Sequence, residues 1–221
     1  MKNSKTIIIG CISFFLFLNS CTKIYINEIS RTPGFSIDMA KSKKFVVVAS
    51  NELLLNEFYK TFNKKYSNNR AFVNDYLQQF ELKANSQKVV SSLTSDKSEN
   101  WDVIRSYTAS LDNPKSIDAL FNDCAADYIV YLSKFEISNR VDTHTTNTGP
   151  NSAPMTSSHE YCIVKVRYQI IDKNTRKRVL EFESKGEAGV MLFAFEKALN
   201  DATERSIEFA VSFLKTGQKE F

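Results

Sequence analysis

The stretch CIVKVRYQII, residues 162–171, decides the fold because its apolar residues alternate with polar ones. Alternation with a period of two places the apolar side chains on one face, which predicts a half-buried β-strand. The polar run Asp172-Lys173-Asn174-Thr175 follows it and indicates a turn, and small or apolar residues then recur at every second position over 180–188. The sequence therefore predicts an antiparallel hairpin that presents one apolar face to a core.

The segments around this hairpin supply the rest of a single domain. The run FVVVA, residues 45–49, is short, continuous and β-branched, which is typical of a strand covered on both faces. Residues 128–137 indicate another strand. Apolar residues at helical spacing predict helices in three places: around 73–80, from Pro114 to Cys124, and over about 193–215. We expect an α/β (α+β) fold over residues 43–215, with two layers, a mixed sheet of about four strands and helices mainly on one face.

Other segments are predicted to be helical or irregular. The spacing of Leu55, Tyr59, Phe62 and Tyr66 predicts a helix that is capped near Ser50. Four further segments complete the prediction: an exposed connection over 84–100, a short helix from Trp101, a polar loop over 139–159, and a tail over 216–221.

Several of these motifs resemble a known periplasmic superfamily. They are the Phe45-Val46-Val47-Val48 strand, the segment Ala125-Ala126-Asp127-Tyr128-Ile129-Val130, the Asp172-Lys173-Asn174-Thr175 turn and the closing helix. The TolB amino-terminal domain, the lipoprotein activators of penicillin-binding proteins and the curli-secretion lipoprotein share this plan. The resemblance implies a fold and a setting in envelope assembly, and it carries no catalytic residue. Curli-secretion members form a pore, but the 139–159 segment has too few alternating apolar residues to line lipid, so we do not expect a pore here.

The amino terminus is predicted to be a signal peptide over residues 1–20. Lys2 and Lys5 precede an apolar run from Ile7 to Leu18 that is too short to span a hydrocarbon core of about 30 Å. The alternative is a buried core helix, but such a helix would carry polar residues at helical spacing.

The next residues resemble the bacterial lipobox, with Leu18-Asn19-Ser20 before Cys21. That resemblance implies cleavage between Ser20 and Cys21 and lipid attachment to the sulfur of Cys21; the alternative is an ordinary secretory signal with a chance cysteine. In lipoproteins an aspartate after the cysteine favours the inner membrane, and Thr22 in this place favours the outer membrane. Residues 21–42 are then interpreted as the lipidated cysteine and a tether that contains one short extended piece.

Charge and cysteine content exclude some classes of function. The chain has 29 basic and 25 acidic residues, and removal of residues 1–20 leaves a net charge of +2, which does not favour nucleic acid. Two cysteines remain beyond Cys21, namely Cys124 and Cys162. If the strands at 128–137 and 162–171 form an antiparallel hairpin, the two sulfurs lie roughly 30 Å apart, so we expect both thiols to be unpaired.

The residues that could carry chemistry are few. His144 and His159 lie in the predicted polar loop without a third ligand nearby, so no metal site is expected. The carboxylate pairs Glu181/Glu183 and Glu204/Glu208 fit solvent-facing rows on a strand and a helix. No nucleophile elbow or glycine-rich phosphate loop occurs in the sequence. We therefore predict a protein that is not an enzyme and that has no cofactor.

These observations leave three hypotheses of function. The leading one is a lipid-anchored binding or scaffold protein at the periplasmic side of the outer membrane, whose partners are the membrane and another envelope protein. The second is an envelope-glycan enzyme of an unrecognised type, and the third is a subunit of an oligomeric secretion complex. The sequence does not decide the oligomeric state.

Overall fold

The computed structural model describes residues 25–37, 43–93, 102–108, Leu111, 114–146, 154–192 and 194–219. The predicted signal segment, Cys21 and Trp101 lie outside the described residues. What was inferred for them stays a prediction.

One mixed sheet of seven strands forms the centre of the domain. The strands are β1 (Ile26–Arg31), β2 (Lys44–Ala49), β3 (Leu53–Leu55), β4 (Asp102–Thr108), β5 (Tyr128–Thr146), β6 (Met155–Asp172) and β7 (Arg178–Gly189). Their order is β1-β7-β6-β5-β2-β4, and β3 pairs with β5 beyond the end of β2. The pairs formed by β2 and β3 are parallel, whereas the β5–β6, β6–β7 and β1–β7 pairs are antiparallel.

Four helices within the described residues pack on the two faces of this sheet. They are α1 (Tyr59–Lys65), α2 (Asn69–Leu93), α3 (Pro114–Asp123) and α4 (Phe195–Thr216). The main core lies between the sheet and α1, α2 and α4, and a smaller core lies between α3 and the other face of β2 and β5. The predicted α/β class, with helices mainly on one face, is therefore confirmed, but the sheet has seven strands instead of about four.

The apolar patterns account for this layering. In β2 every residue from Phe45 to Ala49 is fully buried, because Phe45 and Val47 enter the main core while Val46 and Val48 enter the smaller one. Over residues 164–169 of β6 only one face is apolar, so Val164, Val166 and Tyr168 pack on the helices while the residues between them point away. A continuous apolar run thus indicates a strand that is covered by helices on both faces of the sheet. Alternation of apolar and polar residues indicates a strand with one covered face.

A cluster of hydroxyl groups lies inside the main core. The Tyr76 and Tyr168 hydroxyl oxygens are 2.7 Å apart, and Tyr76 also lies 3.1 Å from Ser206 Oγ. The Ser184 hydroxyl donates to the Ser206 carbonyl at 2.9 Å. Since each hydroxyl has a partner, the cluster links α2, β6, β7 and α4 without leaving a buried polar group unsatisfied.

The amino-terminal boundary of the domain was predicted wrongly. Residues 26–31 are a strand of the sheet rather than part of a tether, because Ile26 lies opposite Ser184 of β7 and is only 1% exposed. The sequence INEISR shows little alternation, so only its long-range pairing reveals it as a strand. The domain therefore begins at β1 and not at residue 43.

Three other segments differ from the sequence-based prediction. Leu53 and Leu55 pack against the core while Leu54 is exposed, so this predicted helical stretch is the strand β3 and the helix starts only at Tyr59. The predicted short helix after Trp101 is the strand β4, which is parallel to β2. The predicted exposed connection from residue 84 is instead the continuation of α2 to Leu93, in a sequence that has no glycine or proline to end it.

Among the described residues, no helix has the length and apolar character needed to cross a membrane.

Candidate functional site

The hairpin of β5 and β6 extends beyond every neighbouring strand. Pairing of β3 with β5 ends at Ile137, and pairing of β7 with β6 ends at Tyr161 opposite Gly189. Beyond this point, within the part of the chain that the structure describes, residues 141–146 pair only with residues 155–160, and we call this two-stranded extension the arm. Six residues at about 3.3 Å each give it a length of roughly 20 Å. The polar loop predicted over 139–159 is therefore mostly strand, although residues 147–153 lie outside the described part of the chain.

Threonines account for strand formation in so polar a sequence. β-branched side chains favour extended backbone, and the two halves of the arm contain Thr143, Thr145, Thr146 and Thr156. The hydroxyls of Thr145 and Thr156 lie 3.2 Å apart across the hairpin, and Thr146 Oγ1 donates to the Met155 carbonyl at 3.4 Å. Polarity alone suggested a loop, whereas β-branched content was the signal for a strand.

Charged side chains fix the base of the arm to β7. Arg140 of β5 donates two hydrogen bonds to the Glu187 carboxylate, at 2.6 and 3.3 Å, and its guanidinium lies over the Tyr161 ring. Lys185 Nζ is 2.9 Å from the same carboxylate, which is buried. Arg205 of α4 donates to the Glu187 backbone carbonyl. The buried Glu187 carboxylate, with its cationic partners, thus fixes β5 to β7 at the point where the arm leaves the sheet.

The two faces of the arm differ in chemistry. His144, His159 and Asp142 share the face that continues away from the helices, with the two imidazole rings 6.5 Å apart. The structure therefore brings together the two histidines that the sequence left in a loop. The described residues contain no group of three or more metal-ligand side chains that could hold an ion. The opposite face carries Val141, Thr143 and Thr145.

Exposed apolar side chains collect at the arm end of the domain. Val141 and Met155 of the arm are 53% and 67% exposed, and Met191 and Leu192 beside its base are 75% and 93% exposed. The loop with these last two residues is fixed to the arm, because Val190 N–H donates to the Glu160 carbonyl at 2.7 Å. Leu192 also has a φ of 47°, which is unfavourable for a residue with a branched side chain. Four of the eight large exposed apolar side chains found among the described residues thus lie at one end.

A second surface lies on the sheet where the described helices leave it uncovered. We call this surface the open face; it is the side of β5, β6 and β7 that points away from α1, α2 and α4, outside the part that α3 covers. Its charged and polar residues are Glu136, Lys165, Arg167, Gln169, Glu181, Glu183 and Lys185. They form cross-strand pairs, such as Lys165 with Glu136 at 3.3 Å and Arg167 with Glu181 at 2.7 Å.

Glu181 departs from the solvent-facing row that was predicted. Its carboxylate accepts hydrogen bonds from Arg167 and Gln169 and lies 2.7 Å from Arg178 Nη1, so its side chain is only 3% exposed. Two guanidinium groups therefore cover it, which strand alternation alone does not reveal. Glu204 and Glu208 are exposed on α4, as predicted.

The opposite end of the sheet contains the residues of the two short motifs. Asp127 Oδ2 accepts a hydrogen bond from the Lys44 N–H at 3.0 Å, and Asp172 Oδ2 accepts from the Thr175 N–H and hydroxyl at 2.8 and 2.9 Å. Burial, with Asp172 and Asp127 as smaller causes, raises the pKa of the Tyr128 phenol. An open hollow of about 430 Å³ lies beside these groups. Both aspartates therefore stabilise the backbone next to them by accepting hydrogen bonds. This agrees with the structural role that the sequence assigned to the motifs around Asp127 and Asp172.

Comparisons with known proteins give a likeness of fold only. No protein-family model matches the chain, and no curated protein sequence matches it significantly. The resemblance to the TolB and penicillin-binding-protein-activator superfamily therefore stays a prediction.

Several solved structures are similar in outline. A neuraminyllactose-binding hemagglutinin homolog from Helicobacter pylori is 11% identical, with 80% of this chain and 88% of that chain covered and a TM-score of 0.45. A PelC dodecamer from Paraburkholderia phytofirmans is 12% identical, with coverages of 87% and 99% and a TM-score of 0.42. The lipoprotein GNA1162 from Neisseria meningitidis is 9% identical, with coverages of 75% and 98% and a TM-score of 0.29. With TM-scores below 0.5, none of these proteins identifies a site or a function in this chain.

Proposed function

We propose that this protein is a lipid-anchored binding or scaffold protein of the cell envelope and not an enzyme. Cys21 carries the lipid, the outer membrane holds the anchor, and the domain faces the periplasm. Another envelope protein docks on the open face.

The observation that carries the proposal is the open face itself. Beyond the part of β5 and β6 that α3 covers, three neighbouring strands present a surface of alternating charge on which none of the described helices packs. The ion pair of Lys165 with Glu136 is partly solvated on both sides, with side chains 32% and 23% exposed, so it can exchange partners at modest cost. Arg167 and Lys185 hold the buried carboxylates of Glu181 and Glu187, so these pairs keep a fixed pattern of charge on the surface. Complementary charges on a partner would fix the register and orientation of docking.

The position of the predicted anchor supports a scaffold. Tyr25, four residues after Cys21, already belongs to the folded domain, because its carbonyl accepts from the Lys185 N–H at 2.8 Å and its ring stacks on Phe209. Four residues span at most about 14 Å. Lipid on Cys21 would therefore hold the domain against the membrane and present the open face at a nearly constant height.

Lipidation is tested by metabolic labelling with a fatty-acid analogue. The native chain should incorporate the label and fractionate with the outer membrane, and Cys21→Ser should do neither, because the serine hydroxyl does not replace the thiol as acceptor. Cys124→Ser is the matched control and should label normally, since its side chain is buried in the domain. Undiminished labelling of Cys21→Ser would refute the anchor.

Docking on the open face is tested by photo-cross-linking in cells. A photoreactive amino acid replaces Glu183 on the open face or, as the control, Glu204 on the exposed side of α4. We expect a discrete adduct with an envelope protein at position 183 and none at position 204. Equal adducts at both positions would rule out the open face as the docking surface, and an adduct with a second copy of the chain would favour the oligomeric alternative.

A further inference from the structure

The first residues of the domain lie towards its arm end. β1 is antiparallel to β7, so Ile26 lies opposite Ser184 while Arg31 lies opposite Leu180. Since β7 runs from Arg178 to Gly189 at the base of the arm, β1 begins at its arm-proximal end. The predicted anchor is therefore attached near the middle of the sheet, at the end of β1 that lies towards the arm.

Chain length limits how the domain can face the membrane. Tyr25 is level with Lys185, which pairs with Lys165 of β6. In one direction from Lys165, β6 continues for seven residues, or about 23 Å, to Asp172 at the far end of the sheet. In the other direction it extends ten residues, or about 33 Å, to Met155 in the arm. Cys21 lies no more than about 14 Å from Tyr25. With the arm pointing away from the membrane, the far end of the sheet would have to penetrate the lipid.

The orientation in which the arm points straight towards the membrane is excluded by the backbone of the arm. If the arm pointed straight at the membrane, its end at Met155 would lie about 19 Å deeper than Cys21 and would enter the hydrocarbon. Among the described strands the two of the arm pair only with each other, so apart from the Glu160 carbonyl, which accepts from Val190, their outer N–H and C=O groups would lose water without gaining partners. A single polar ribbon is therefore stable at the headgroup layer and not inside the bilayer.

The surface chemistry of the two ends agrees with this geometry. The exposed apolar side chains Met155, Met191 and Leu192 lie at the arm end. The far end is the turn that contains Lys173, Asn174, Arg176 and Lys177, all of which are polar or charged. Apolar side chains at a membrane interface leave water, whereas the cationic turn can gain only electrostatic attraction to anionic lipid, which salt weakens.

We propose that the arm lies along the surface of the membrane that holds the anchor, with Met155, Met191 and Leu192 in the headgroup layer and the 173–177 turn directed away from lipid. This inference rests on the proposed lipidation of Cys21. Anchor and arm then form two attachments that fix the tilt of the domain relative to the membrane.

The orientation is tested with spin labels on the acylated full-length protein in phosphatidylethanolamine–phosphatidylglycerol vesicles. Met155→Cys places a nitroxide on the arm and Asn174→Cys places the matched control in the far turn; both positions are exposed. The buried Cys124 and Cys162 do not compete for label in the folded protein. The quantity measured is the ratio between the accessibility of each label to oxygen and its accessibility to a water-soluble nickel complex. We expect vesicles to raise this ratio several-fold at position 155 and to leave it unchanged at position 174.

Flotation of the vesicles separates the two proposals. If the protein floats with the vesicles but the labels at both positions are equally exposed to water, the lipid anchor is supported and the proposed orientation of the arm is wrong. Protein that does not float overturns both. Dipolar broadening between labels at 155 would show arms of two copies in contact and would also overturn the lipid assignment.

Discussion

Gly186 of β7 lies directly against the backbone of α4 at Ala202. A Cβ atom at position 186 would stand 1.9 Å from the Ala202 carbonyl oxygen and 2.5 Å from the Ser206 nitrogen. No side chain can move to relieve these contacts, because both atoms are backbone. The absence of a side chain at Gly186 therefore sets the distance at which α4 packs on the sheet.

The Gly186→Ala substitution should destabilise the domain strongly. The added methyl group forces α4 away from β7 and disturbs the hydroxyl cluster around Ser206, so we expect the free energy of unfolding to fall by at least about 2 kcal/mol. Urea unfolding followed by circular dichroism measures this. Gly189→Ala is the control, since its Cβ would meet only the Tyr161 ring at 3.8 Å. Equal stability of the two variants would contradict the close contact.

Tyr76→Phe should cost about 1–2 kcal/mol of stability. The change removes one hydroxyl from a buried cluster, so Tyr168 loses its partner at 2.7 Å and Ser206 Oγ its partner at 3.1 Å, and the loss of buried hydrogen bonds is costly. Thermal and urea unfolding give the value. Tyr59→Phe, at a side chain that is 53% exposed, should leave the stability unchanged.

The same tyrosines predict a loss of stability at alkaline pH. Burial raises the pKa of Tyr76 from 10.0 to about 12, and it also raises the pKa of Tyr168. Above pH 10 the unfolded chain releases these protons while the folded protein keeps them, so the free energy of unfolding falls as the pH rises towards 12 and is fully retained below pH 10. Urea midpoints measured from pH 8 to pH 11 test this. A Tyr76→Phe variant should show a shallower decline, and identical slopes would argue against the assignment.

Cys124 and Cys162 are both free and buried, which confirms the prediction that they do not form a disulfide. Burial raises the pKa of the Cys162 thiol to about 12, so little reactive thiolate forms at neutral pH. We expect both residues to escape alkylation in the folded protein and to react fully after unfolding without a reductant. Peptide mapping of the alkylated cysteines decides this, and a cross-linked peptide pair would show that the register of β5 and β6 is wrong.

Arg140→Gln should loosen the arm while the rest of the sheet keeps its structure. The substitution removes the guanidinium that bridges β5 to the buried Glu187, although Lys185 remains beside that carboxylate. Because the Arg140 side chain is partly exposed, the global free energy of unfolding should fall by no more than about 1 kcal/mol. Hydrogen–deuterium exchange should become faster in residues 141–146 and 155–160 and stay unchanged in 164–170. Arg31→Gln, at the exposed pair with Glu28, should leave arm exchange as it is.

Local patterns in the sequence predicted the parts of the fold that have local causes. Alternation over 162–171 identified β6, and the two-sided burial of β2 followed from its unbroken apolar run. Pro114 marked the start of α3, and helical spacing placed α4 within a few residues of Phe195–Thr216.

The missed features depend on residues that are distant in sequence. β1 is recognisable only through its pairing with β7, and β4 only through its parallel partner β2. The base of the arm is ordered by Glu187, far from Arg140 along the chain, so polar composition alone suggested a loop. Likewise, Glu181 is buried because arginines of two strands converge on it. Burial of this kind arises from pairing between strands, which single-sequence periodicity does not contain.

The pairing of Ile26 with Ser184 has a consequence for the nascent chain. Synthesis delivers β1 first, but its partner β7 follows roughly 160 residues later, and closing so long a loop costs entropy before any contact forms. The main core also needs α4, which comes last of all. A growing chain therefore has no complete sheet until almost all of it has been made, and a chain cut off before β7 leaves the apolar faces of β5 and β6 exposed to chaperones and proteases.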